Sequence, residues 1–148
     1  MKILVLNGPN LNFLGIREKG IYGNETYEDL VKYIESKSNI INNLEIEVKQ
    51  SNHEGFLIDY LQQAYHENID GILINPGAYT HYSYALFDAI KSVQIPTIEI
   101  HLSNIHEREE FRKISVTSAA CIDQVYGLGK DSYIVGLEKL INHITNKE

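Results

Sequence analysis

The sequence predicts an α/β fold, a doubly wound sheet of five parallel strands in the flavodoxin-like order 2-1-3-4-5. Three observations predict it. Short apolar runs alternate five times with segments of helical periodicity, the pattern of a parallel sheet covered on both faces. Most connections are short, with no internal linker and no low-complexity stretch. Polar clusters follow three of the apolar runs directly, and ligands of open α/β sheets bind beyond the carboxyl ends of the strands, where strand order reverses.

The elements follow in order. Lys2-Ile3-Leu4-Val5-Leu6 is the first strand, ending in Asn7-Gly8-Pro9-Asn10. A glycine-bearing loop, Gly15 to Gly23, precedes Thr26-Tyr27-Glu28-Asp29, a helix cap with acidic residues in the first turn. Leu30, Ile34, Ile41 and Leu44 continue as an approximately helical apolar stripe, and Leu44 to Val48 alternates as a strand does. Ser51-Asn52-His53-Glu54-Gly55 caps a second helix carrying Leu57, Ile58, Leu61 and Ala64. The third strand, Gly71 to Ile74, runs into Asn75-Pro76-Gly77. A third helix is expected from about His81 to Val93, with Pro96 breaking the chain before Thr97-Ile98-Glu99-Ile100 and His101. Glu107 to Arg112 reads as a short helical turn, Ala119 to Val125 as a fifth strand, and Asp131 to Ile144 as the last helix. In the predicted strand order the three polar clusters converge on one crevice.

Composition narrows the function. A chain of 148 residues with 43% hydrophobic and 22% charged residues fits one domain, residues 1–148, able to bury about 70% of its unfolded surface. No apolar run approaches the roughly 20 residues that cross a bilayer, and no signal peptide is readable, so a cytoplasmic location is expected. The net charge of −7 disfavours nucleic acid and anionic membranes as partners, although a few local arginines still allow an anionic small molecule. Cys121, the only cysteine, excludes an internal disulfide and reads as a small buried hydrophobe. No Walker A loop, dinucleotide fingerprint or His-Glu-x-x-His helix is present, and no lysine ends strands one, three or four.

The chemistry-bearing candidates stand at the strand ends. The connection from about residue 8 to 25 exceeds the usual span of about two to six residues. It is either a plain surface loop with Tyr22 as an exposed aromatic, or a lid that delivers Arg17 and Tyr22 to a ligand. A tyrosine acts as a base only as phenolate; its ordinary pKa is about 10, and a guanidinium nearby favours the anion. Arg17, in the same loop, is a candidate for that role. Glu99 and His101 share one face of strand four, so the acid can orient the imidazole and favour its charged form. Arg108 and Arg112 lie one turn apart, and a solvated helix face with local ion pairs explains Arg108 as well as any functional role.

Taken together, Leu6-Asn7-Gly8-Pro9-Asn10-Leu11, Arg17-Glu18 with Tyr22-Gly23, Gln50-Ser51-Asn52-His53-Glu54-Gly55, Asn75-Pro76-Gly77-Ala78-Tyr79-Thr80-His81, and Glu99-Ile100-His101-Leu102-Ser103-Asn104 with Arg108-Glu109-Glu110-Phe111-Arg112 resemble the type II 3-dehydroquinate dehydratases. The resemblance runs in order along essentially the whole chain. It implies a cofactor-free lyase that dehydrates 3-dehydroquinate to 3-dehydroshikimate, in the shikimate pathway of aromatic amino acid biosynthesis or in quinate breakdown. It further implies a dodecamer of four trimers. By position, the resemblance makes Tyr22 the base, Arg17 its ionising partner, and Asn10 the amide holding a water at the enolate oxygen. It makes His101 the general acid, oriented by Glu99. Asn75, His81 and Arg112, with the backbone of Leu102 and Ser103, match the substrate-binding set, and Asp88 matches an acid reaching in from a neighbouring subunit. Lys19 replaces a usual proline, Phe87 a frequent arginine, and Ile114 and Val116 the usual His and Tyr; the approach to the fifth strand, Ala119 to Asp123, is also unusual. Two other readings remain open: a non-catalytic flavodoxin-like binding module, such as a flavin carrier or receiver, and a family member whose turnover is poor because Lys19 mis-sets the lid.

Overall fold

The computed structural model describes residues 1–147. Five parallel strands form one sheet: β1 (Lys2–Asn7), β2 (Glu45–Gln50), β3 (Gly71–Asn75), β4 (Thr97–Ile100) and β5 (Asp123–Val125). Their order is β2-β1-β3-β4-β5, as the sequence predicts. The three inner strands are apolar almost throughout because both of their faces are covered. The edge strand β2 alternates exposed Glu45 and Glu47 with half-buried Ile46 and Val48, and β5 is only three residues long.

The helices are α1 (Lys19–Tyr22, a single turn), α2 (Tyr27–Glu35), α3 (Glu54–His66), α4 (Tyr84–Val93) and α5 (Asp131–Thr145). Successive side chains of a strand point to opposite faces, and the core divides accordingly. Ile3, Val5, Leu73, Ile98 and Ile100 pack with α2 and α5, including Leu30, Ile34, Tyr133 and Leu137. Leu4, Leu6, Ile72 and Ile74 pack on the other side with Leu57 and Leu61 of α3 and Leu86 and Ile90 of α4. The wound order leaves β1, β3 and β4 adjacent, so their carboxyl ends open into a common crevice.

Several boundaries differ from the expected ones, each for a local reason. The stripe expected to run through Ile41 to Leu44 ends at Glu35. A 3₁₀ turn at Ser36–Asn39 follows, Asn43 takes a left-handed conformation (φ 60°), and Ile40 and Ile41 are 72% and 37% exposed. Helix α2 does start where expected, with a reciprocal capping box between Thr26 and Asp29. Helix α4 begins at Tyr84 rather than His81, because the Ser83 hydroxyl caps it by accepting from the Leu86 N–H; residues Gly77–His81 form a 3₁₀ turn instead. The fifth strand is shorter than Ala119–Val125, since Ser118–Ala120 turns back and the Cys121 amide bonds to the Ser118 carbonyl. Two 3₁₀ turns, Ile105–Glu107 and Glu110–Lys113, replace the single helical turn expected over Glu107 to Arg112, with Arg108 extended between them. No helix among the described residues is long and apolar enough to cross a membrane.

Candidate active site

The floor of the crevice is set by two backbone segments in close contact. The Gly8 amide donates to the Asn75 carbonyl at 2.7 Å, extending the β1–β3 ladder past the strand ends. A Cβ at Gly8 would lie 2.6 Å from the Pro76 carbonyl oxygen, so only glycine lets the two turns touch. Gly77 takes a positive φ of 59°, and Asn10 is left-handed at φ 69°, with its N–H bonded to Asn52 Oδ1 at 3.0 Å. These turns present Asn10, Asn75 and Gly77 to one cavity, which also receives His101, Leu102 and Ser103 from the end of β4.

The loop after β1 closes one side of that cavity. The single turn α1 carries Tyr22, which is half-buried and lines the cavity with Arg17. The Arg17 guanidinium carbon stands 5.0 Å from the centre of the Tyr22 ring, and Arg17 also pairs with Glu18. Arg108, not Arg17, meets the phenolic oxygen: its Nη1 donates to the Tyr22 hydroxyl at 2.6 Å and reaches Ser103 Oγ at 3.4 Å. Arg108 Nη2 is buried without a hydrogen-bond partner among the described residues, with Glu18 Oε2 3.9 Å away. Arg108 therefore belongs to the cavity, not to a solvated helix face. The extended backbone between the two 3₁₀ turns aims it inward, a feature with no signature in the local sequence. Its partner lies 86 residues away along the chain.

His101 follows β4 directly and is 5% exposed. Its Nε2 lies 3.0 Å from Glu99 Oε2, so the two side chains do share a face. Glu99 is completely buried, which unaided would cost several kcal/mol. Four further donors converge on it. Thr80 and Thr117 donate to Oε1, Gln124 Nε2 donates to Oε2 at 2.6 Å, and Ser115 Oγ lies 2.8 Å from Oε2. Burial pushes the carboxyl up, but the bond and charge of His101, with the Thr117 and Gln124 bonds, outweigh it and bring it down to about 2. Nothing in the sequence marks Thr80, Ser115, Thr117 and Gln124, scattered along the chain, as a polar cage for a carboxylate.

The remaining candidates divide in two. His81 and Arg112 line the cavity. His81 Nδ1 faces the Ile114 carbonyl at 2.8 Å and must donate to it, which leaves Nε2 as an acceptor. Burial lowers the His81 pKa, and the nearby charges of Arg112 and His101 act in the same direction. Arg112 Nε is held by Glu109. Asn75, 4% exposed, turns its Oδ1 to the Gly77 N–H. Asp88 does not reach this cavity: it is exposed on α4. Cys121 lies in the core side of the fifth-strand approach, its thiol 3.5 Å from the Thr117 carbonyl, and burial raises its pKa strongly, so it stays a thiol. Among the described residues no three His, Cys, Asp or Glu side chains cluster as a metal site would require.

The arrangement suits acid–base work on a small anion. The lining includes Arg17, Arg108 and Arg112 and no carboxylate, in a chain of net charge −7. A phenol held by a guanidinium and an imidazole backed by an ionised carboxylate line the same cavity, able to take and give protons on a ligand between them.

Comparison with known proteins gives a consistent picture. The family model described as Dehydroquinase class II matches residues 1–141. The 3-dehydroquinate dehydratase of Clostridium acetobutylicum is 59% identical over 145 residues, covering 98% of this chain and 99% of the relative. That of Caldicellulosiruptor saccharolyticus is 61% identical over 139 residues, 94% of this chain and 95% of the relative. Among solved structures, the type II dehydroquinase from Butyrivibrio crossotus superimposes with a TM-score of 0.93 at 59% identity, covering 95% of this chain and 97% of that one. The type II dehydroquinase from Propionibacterium acnes superimposes with a TM-score of 0.90 at 40% identity, covering 95% and 96%.

Proposed function

The chain belongs to the class II dehydroquinase family and has type II 3-dehydroquinate dehydratase activity, and on that premise we propose how its residues divide the reaction. The single observation carrying the proposal is the pair of acid–base groups lining one cavity: Tyr22, bonded to Arg108 and overlaid by Arg17, and His101, backed by Glu99. Tyr22, as phenolate, removes a proton from the carbon beside the ketone, and the electron pair becomes an enolate. Asn10 holds a water against the enolate oxygen. The enolate re-forms the ketone as the C–O bond to the departing hydroxyl breaks, and His101 protonates that hydroxyl to release water. The products are the conjugated enone and one water, and proton transfer through solvent returns Tyr22 and His101 to their starting states.

Arg108 and Arg17 supply the positive charge a phenolate needs, Arg108 at the oxygen and Arg17 at the ring. Glu99, kept ionised, supplies the counter-charge for an imidazolium and fixes its orientation. His81 Nε2 accepts from a ring hydroxyl, Asn75 and Arg112 bind ring hydroxyls, and the amides of Leu102 and Ser103 take the carboxylate. No cofactor takes part. The exposed position of Asp88 supports a role in a neighbouring subunit's cavity, within a dodecamer of four trimers. We place the enzyme in the cytoplasm and in aromatic amino acid biosynthesis, acting as one catalytic domain.

Incubation with 3-dehydroquinate, without added metal or cofactor, is expected to produce enone absorbance in the ultraviolet. Tyr22→Phe and His101→Ala should each remove most of the turnover while circular dichroism shows the fold retained; near-normal rates would refute the assignment. The family membership gives no support to a non-catalytic flavodoxin-like module. Measuring substrate affinity beside the rate separates full activity from a variant in which Lys19 slows turnover but spares binding.

A further inference from the structure

We infer that Tyr133 is a positioning residue for the substrate: from beneath the cavity floor its hydroxyl fixes the side-chain amide of Asn75 with Nδ2 as the donor. The inference rests on the reading of the cavity as a 3-dehydroquinate site. Asn7 and Asn75 are paired in register at the ends of β1 and β3, and the Tyr133 hydroxyl reaches both from α5. All three are essentially removed from solvent, Tyr133 and Asn7 completely and Asn75 at 4%.

The directions of the hydrogens follow from one group that can only donate. The Gly77 backbone N–H lies 3.1 Å from the Asn75 side chain, so the atom facing it must be Oδ1. Nδ2 then faces Tyr133, and the tyrosine oxygen accepts at 3.0 Å. Its own proton must go elsewhere, and Asn7 Oδ1 takes it at 2.6 Å. Asn7 Nδ2 in turn faces the Tyr27 hydroxyl at 3.4 Å. The reverse orientation would set the Asn75 amide nitrogen against the Gly77 N–H, donor against donor. Packing alone needs no hydroxyl here, because phenylalanine fills the same volume. What the hydroxyl adds is an acceptor that holds Nδ2 in the orientation the Gly77 N–H sets, with one Nδ2 hydrogen left for an acceptor oxygen of the ligand.

The test compares wild type, Tyr133→Phe, Asn75→Ala and the double variant in steady-state dehydration of 3-dehydroquinate, with thermal melts in parallel. Tyr133→Phe is expected to raise KM about five- to tenfold and to change kcat less than about twofold, the mark of a lost binding contact. In the Asn75→Ala background the same substitution should move KM by less than about twofold, since no amide remains to orient. Equal KM increments in both backgrounds, or an unchanged KM in folded Tyr133→Phe, would overturn the inference. Should Tyr133→Phe not fold, Asn7→Ala releases the tyrosine proton to turn on Asn75; the same KM rise and the same non-additivity are expected, and their absence is equally fatal. A wild-type protein that leaves 3-dehydroquinate unchanged instead sinks the reading of the cavity, and the inference with it.

Discussion

The Tyr22 hydroxyl meets Arg108, and that contact reassigns where the positive charge acts. Arg17 lies over the ring, where a cation interacts with the π face, whereas Arg108 donates directly to the oxygen that the proposed reaction makes negative. Arg108→Ala is accordingly expected to lower kcat by about 10²- to 10³-fold, the size of losing one donor to a developing charge. Arg108→Lys should recover little, because a point charge does not reproduce a planar guanidinium whose Nη1 donates to Tyr22 while its Nη2 faces Glu18 at 3.9 Å; stopped-flow or single-turnover rates with 3-dehydroquinate decide it. Glu99 makes a prediction in stability. Its folded-state pKa of about 2 lies below the ordinary carboxyl value of 4.5, so its contribution is complete above pH 4.5 and is lost as the pH falls through 2. That shift corresponds to roughly 3 kcal/mol. Urea midpoints from pH 5 down to about pH 2 should fall more steeply for wild type than for Glu99→Gln. Parallel slopes would show that the carboxylate is not stabilised in this way.

At the scale of the elements, the ends of β1, β3 and β4 work because the turns beyond them touch. Gly8 is the contact point, and Gly8→Ala must drive the β1 turn away from Pro76, since the obstruction is backbone and cannot rotate aside. The expected cost is about 1–3 kcal/mol in stability, with a larger relative loss in kcat/KM because Asn10 and Asn75 move apart; a melt and a rate on the same preparation test both. Strand types and positions were legible in the sequence because inner strands must be apolar on both faces and edge strands need not be. Helix ends were less so. The period through Ile41 and Leu44 reads as helical, yet α2 ends at Glu35 and the chain tightens into a 3₁₀ turn at Ser36–Asn39 before Asn43 takes a left-handed conformation. The turn around Arg108 looked like one helical surface, and two 3₁₀ turns split it. In each case a backbone choice of one or two residues, worth little in the pattern, decided which way a side chain points.

For the whole molecule, the distribution of charge matters more than its total. A chain of net charge −7 lines its cavity with three arginines and no carboxylate, which selects for a small anion. Asp88, which the proposal assigns to a neighbouring subunit's substrate site, lies exposed outside this cavity, so the site is expected to be complete only in the assembly. Sedimentation velocity should give a dodecamer, and Asp88→Ala should raise KM while leaving that mass unchanged; a fully active monomer would remove Asp88 from the site. The sequence by itself determined the α/β class, the strand order, the three polar strand ends and the pairing of Glu99 with His101, because each follows from periodicity or from neighbours on one strand. Tertiary structure alone decided that Arg108 meets Tyr22, that four scattered polar side chains enclose Glu99, and that Tyr133 bonds to Asn75. Those contacts join residues 16 to 86 positions apart, brought together by the winding of the chain over both faces of the sheet, and no local pattern encodes them.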